Sequence, residues 1–114
     1  MFDRLEQIEA RYEELTRALA SPDIMQDSGK FQKTAKAHSE IAPLVEKYRE
    51  YKDLKKGIAE TREMLVQESD PEMKQMAQEE LQSLEQRLAQ VEQDLKVLLI
   101  PKDPNAAPLF QRGV

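Results

Sequence analysis

The chain has 114 residues, a net charge of −5, 34% charged residues, three glycines and no cysteine or tryptophan. Without cysteine there are no disulfides, thiolate metal sites or cysteine nucleophiles, which fits a reducing compartment and makes the cytoplasm the expected location. Few glycines and 5% aromatic residues argue against a β-rich or disordered chain, and this length predicts one domain.

Phe2, Leu5, Ile8, Tyr12, Leu15 and Leu19 recur at steps of three or four, which predicts a first helix from about Phe2 to Ala20 with that stripe inward. Ser21-Pro22-Asp23 closes it, and Ile24 and Met25 suit a single short turn. Asp27 and Ser28 then offer a second cap, ahead of inward candidates Phe31, Ala35, His38 and Ile41 or Ala42. Pro43 is the awkward residue, because an internal proline deletes a backbone hydrogen bond and clashes with the carbonyl four residues earlier. The apolar stripe nevertheless continues through Ile41, Leu44, Tyr48, Tyr51, Leu54, Ile58, Thr61 and Leu65. A long helix bent near Pro43 and running to about Gln67 is therefore expected. Gly57 costs it about 1 kcal/mol relative to alanine, and a close helix crossing would be one reason for a glycine there.

Glu68-Ser69-Asp70 is long enough only to reverse direction. The next helix is announced by Asp70 as cap, Pro71 at the first helical position and Glu72 at the positive end of the dipole. Ala77, Leu81, Leu84, Leu88, Val91, Leu95 and Leu98 then alternate at four and three, a coiled-coil seam that Pro101 ends. At 1.5 Å per residue this helix is about 42 Å long, so its neighbours must align along it. The expected architecture is all-α: an elongated antiparallel bundle of three main helices with a long coiled-coil-like hairpin. Residues 1–100 form that domain, and KDPNAAPLFQRGV, over 102–114, carries no periodicity, so 101–114 reads as a linker or an added tail.

Charge is unevenly spread. From Lys30 to Lys56 there are eight bases against four acids, whereas from Glu60 to Asp94 there are ten acids against Arg62, Lys74 and Arg87. Antiparallel packing of the two segments would set a basic helix against an acidic one, although both can equally be solvated faces. The longest apolar run, Val97 to Ile100, is too short to cross a bilayer, and the acids from Met1 to Arg17 do not suit a signal peptide.

Catalytic chemistry is hard to find. His38 is the only histidine, and no carboxylate lies one turn away to orient it as a base. Glu9 with Glu13, and Glu68 with Glu72, are carboxylate pairs better explained by solvation than by a metal. No phosphate-cradling loop or nucleophile elbow is present. Tyr48 and Tyr51 among Lys47, Arg49, Lys52, Lys55 and Lys56 could suggest nucleic acid, but both tyrosines fall on the apolar stripe. That leaves open a loose electrostatic contact with RNA through the lysines. No cofactor, metal site or catalytic residue is expected.

The phrases MFDRLEQIEARYEEL, SPDIMQDSGKFQKTAKAHSEIAPLVEKYREYKDL, SDPEMKQMAQEELQSLE and LLIPKDPN resemble the amino-terminal helical domain of the bacterial class I peptide chain release factors, the release factor 1 family. The resemblance covers Met1 to about Asn105 and implies a non-enzymatic, ribosome-binding helical arm of a translation termination factor that directs peptide release at UAA and UAG. It implies partners at the stalk base of the large subunit, in the L11 region, together with the class II release factor GTPase and the release factor glutamine methyltransferase. The family's codon-reading Pro-x-Thr and catalytic Gly-Gly-Gln occur nowhere here, and from Ala106 the sequence departs from the family pattern. This points to a first domain that lacks the codon-reading and catalytic domains, ending in an artificial tail or the scar of a truncated frame. The turn residues Glu68, Ser69, Asp70, Pro71 and Glu72 are the candidate partner contact on a chain expected to be a monomer. A self-associating coiled-coil scaffold unrelated to translation is the rival, because the seam from Ala77 to Leu98 could serve it.

Overall fold

The computed structural model describes residues 2–100. Four helices follow in order, α1 Phe2–Leu19, α2 Pro22–Met25, α3 Ser28–Gln67 and α4 Pro71–Leu98, and no strand occurs among the described residues. Three long helices and one short turn of helix are thus the all-α set that the periodicity predicts. Contacts divide the chain into two units, Met1–Glu50 and Tyr51–Val114, and the division falls inside α3. The expected linker over 101–114 lies outside the described residues.

In the first unit, α1 buries Leu5 and Leu15 and half-buries Ile8, Tyr12 and Leu19. Its end is closed by the Ala20 amide, which donates to the Thr16 and Arg17 carbonyls, and by the Ser21 amide, which donates to the Ala18 carbonyl. Pro22 then opens α2, whose Ile24 is buried. Asp27 caps α3, its Oδ1 accepting from the Lys30 amide at 3.1 Å and its carbonyl from the Phe31 amide at 2.9 Å. Glu9 and Glu13 of α1 meet Arg49 of α3, while Thr16, later in α1, meets His38, earlier in α3, so the two helices run antiparallel.

α3 runs as one helix through Pro43. Pro43 and Ser39 are both exposed, so water can reach the Ser39 carbonyl that the proline leaves without its helical donor. The Ser39 hydroxyl donates back to the Lys36 carbonyl at 2.9 Å. The buried face includes Leu44, Val45 and Tyr48, whereas Phe31, expected inward, stays 38% exposed in the first turn. Val45 stands beside the predicted stripe at i+4 from Ile41, and its burial shows that this face is wider than a single seam.

In the second unit, the three residues Glu68, Ser69 and Asp70 fold α4 back along α3. Buried residues are Tyr51, Leu54, Ile58 and Thr61 on α3, and Ala77, Val91 and Leu95 on α4. Leu81, Leu84 and Leu88 of the seam are half-buried, as expected where one helix meets one partner on a narrow face. Thr61 keeps its hydroxyl satisfied within the buried face by donating to the Gly57 carbonyl at 2.8 Å. Register is fixed by Gly57, which lies against Leu84, and by Arg62 Nη2, which donates to Glu85 Oε2 at 2.9 Å. A methyl group added at Gly57 would sit 3.6 Å from Leu84 Cδ1, an ordinary contact, so the crossing does not demand glycine.

Two substitutions on this hairpin have opposite expected signs. Gly57→Ala fits and restricts the unfolded chain, so it stabilises by about 0.5–1 kcal/mol. Leu95→Ala removes a fully buried side chain and destabilises by about 3 kcal/mol. Urea denaturation of both variants reads the two changes directly.

Candidate partner-binding site at the hairpin turn

The turn is built from its own carboxylates. α3 ends as the Glu68 amide donates to the Met64 carbonyl at 2.9 Å. Glu68 Oε1 then accepts from the Asp70 amide at 3.2 Å, and Asp70 Oδ1 accepts from the Glu72 amide at 3.4 Å. The Asp70 carbonyl takes the Lys74 amide at 2.9 Å, with Pro71 at the first helical position. Two of the five candidate contact residues, Glu68 and Asp70, thus also shape the reversal. Ser69, Asp70, Pro71 and Glu72 are exposed and Glu68 half-buried, which puts the five together on one projecting loop.

Charge and apolar exposure both gather around this turn. Residues 60–80 hold seven acids and two bases, a net of −5 that matches the whole chain. The same stretch exposes Met64, Val66, Met73 and Met76. None of these three methionines was singled out by the sequence, because exposure depends on which flank of the hairpin a residue occupies.

Along the other flank of the hairpin lies a shallow groove of about 340 Å³, lined by Lys55, Ile58, Ala59, Arg62, Glu85 and Leu88. Arg62 and Glu85 pair across it, and its floor is aliphatic. Nothing in it joins a nucleophile to a base. Among the described residues no group of three or more histidine or acidic side chains stands together as a metal site, and no helix is long and apolar enough to cross a membrane.

The first unit carries a polar cluster that holds helices together. Arg49 Nε donates to Glu9 Oε2 at 2.8 Å, Arg49 Nη2 pairs with Glu13 Oε1, and the guanidinium lies 5.5 Å from the centre of the Tyr12 ring. The Glu9 hydrogen bond raises the Arg49 pKa above its ordinary value, partial burial opposes it, and Glu13 adds to the rise. A raised arginine pKa contributes stability that is lost only as pH rises through the folded value, so the arginine's own contribution is constant across the physiological range. His38 stacks on Tyr12 with centroids 4.3 Å apart, and its Nε2 lies 3.0 Å from Thr16 Oγ1. The Thr16 hydroxyl hydrogen goes to the Tyr12 carbonyl at 2.9 Å, which assigns the proton of the His38 contact to Nε2. This histidine ties α3 to α1 and is not aimed at a substrate.

Tyr48 and Tyr51 are buried, which removes the aromatic platform that single-stranded nucleic acid would need, while Lys52, Lys55 and Lys56 remain exposed.

The chain belongs to the PCRF domain family, whose model matches residues 8–108. It is similar to peptide chain release factor 1 of Acidobacterium capsulatum, with 58% identity over 105 residues, of Lysinibacillus sphaericus, with 49%, and of Syntrophomonas wolfei, with 44%. Each alignment covers 92% of this chain but only 29–30% of the relative. No solved structure matches it.

Arg49→Met keeps the aliphatic stem and removes both ion pairs. Because the guanidinium is substantially exposed, the expected loss is about 1 kcal/mol at low salt, shrinking as ionic strength rises. Urea denaturation at two salt concentrations measures it.

Proposed function

We propose that this chain is a ribosome-binding helical arm of a translation termination factor that acts at UAA and UAG stop codons. The observation that carries this reading is the 58% identity to a peptide chain release factor 1 along 105 residues. Stop-codon reading and peptide release belong, in this reading, to the part of the relatives' length that this chain does not span. The arm itself is non-catalytic, works in the cytoplasm as a monomer and serves to place a contact surface. Stiff helices suit that task, because a preordered surface loses little conformational freedom on docking.

Its partners in this reading are the stalk base of the large ribosomal subunit around the L11 region, the class II release factor GTPase and the release factor glutamine methyltransferase. Glu68, Ser69, Asp70, Pro71 and Glu72 form the contact. Exposure of this turn, and a cap that holds it in one shape, support the choice. The lysines of α3 add a weak, salt-sensitive contact with rRNA. The rival scaffold lacks support, since Ala77, Val91 and Leu95 are already buried within one copy of the chain.

Sedimentation with ribosomes tests the assignment. Asn caps a helix as well as Asp does, so Asp70→Asn with Glu72→Gln removes two charges and keeps the turn. Retention of the chain on ribosomes is expected to fall about fivefold, a loss of ~1 kcal/mol typical of polar contacts. Unchanged retention would remove the turn as the contact.

A further inference from the structure

The turn has an apolar side that its acids conceal. Met64, Met73 and Met76 are 52%, 45% and 63% exposed, although each belongs to a helix that buries other residues. Measured at about 100° per residue from the buried faces, Ile58, Thr61 and Leu65 on α3 and Ala77, Leu81 and Leu84 on α4, Met64 and Met76 both lie about 100° round in the same sense. Antiparallel helices turn such flanks to the same side. The Gly57–Leu84 contact sets the level, since seven residues on from Gly57 and seven back from Leu84 bring Met64 beside Ala77, next to Met76. Met73 follows one turn nearer the tip on that side, whereas Val66, 85% exposed, points to the other flank.

Single exposed apolar residues need no explanation, but three unbranched thioethers on one flank do. Methionine is flexible and polarisable, and such surfaces mould themselves to an apolar ridge on a partner helix. By the same measure Glu60, Glu68 and Glu80 fall on the methionine flank, whereas Arg62 and Lys74 fall on the other, and Asp70 and Glu72 add their charge at the tip. A rim of that sign repels phosphodiesters and anionic lipid, and residues 60–80 contain no aromatic side chain on which a base could stack. The rim instead complements lysine and arginine.

We propose that Met64, Met73 and Met76 form the apolar floor of a docking surface for an amphipathic protein helix whose apolar ridge is flanked by lysine and arginine. This deepens the ribosome-binding reading and rests on it: the tip meets a basic ribosomal protein and not rRNA. The ridge packs on the thioethers while the basic flanks meet the acidic rim, so affinity comes mainly from the apolar contact and orientation from the charges.

The test replaces Met64→Gln, Met73→Gln and Met76→Gln together in the full chain, substitutions that suit exposed helix positions and leave the buried faces untouched. Ribosome affinity is expected to fall at least tenfold with an unchanged circular dichroism spectrum. In parallel, the unsubstituted chain grown with photo-methionine is irradiated on ribosomes. Cross-links to a ribosomal protein that vanish in the triple variant are the expected result. Cross-links to rRNA alone, an absence of cross-links, or undiminished affinity of the triple variant would overturn the proposal. If the unsubstituted chain binds ribosomes, and the Asp70→Asn, Glu72→Gln variant binds less well, while the triple variant binds normally, only the methionine surface fails. If the unsubstituted chain does not bind ribosomes, the ribosome-binding reading fails with it.

Discussion

Two amphipathic helices joined by three residues can hide their apolar faces in one way, which is to fold back on each other. That constraint organises the second unit of this chain. Glu68, Ser69 and Asp70 leave no length for any other path, and Asp70 with Pro71 starts the returning helix at once. Once the direction is set, the four-three spacing of α4 turns Ala77, Leu84 and Val91 toward α3, and the Gly57–Leu84 contact and the Arg62–Glu85 pair fix the level. The hydrophobic burial supplies the stability. The ion pair, exposed on both sides, contributes register more than energy.

The first unit solves a similar problem with more polar means. α1 and the first part of α3 bury Leu5, Leu15, Leu44 and Val45, and a ladder of Arg49, Glu9, Glu13, Tyr12, His38 and Thr16 runs beside them. Each member satisfies another, so the only histidine and the Arg49 ionic cluster are both accounted for by helix pairing. The hairpin turn is where exposure, negative charge and exposed apolar side chains coincide.

Much of this was legible in the residues. Capping and proline chemistry agreed with the apolar period in placing the start of α4 at Pro71, and at Pro43, where they disagreed, the persistent stripe was the better guide and carried α3 to Gln67. Burial of Tyr48 and Tyr51 followed from the same stripe. The less legible features depend on what stands opposite a residue. Val45 is buried because its face is broad, and Phe31 is only partly covered because it sits near the start of its helix. Gly57 suggested a forced close approach, yet a methyl group fits there. Met73 and Met76 are three residues apart, as core residues often are, and Met64 stands next to Leu65 of the stripe. The exposure of these methionines comes from sitting on the hairpin's flank and at its end.

The central claim is that the seam of α4 is satisfied inside a single chain. The most direct test is the thermal midpoint and helical circular dichroism signal followed through a ~100-fold dilution, because a fold completed by a second copy must melt at a temperature that depends on concentration. An intramolecular hairpin predicts an unchanged midpoint and unchanged helicity at every concentration. A midpoint that falls with dilution, accompanied by loss of helix, would contradict it.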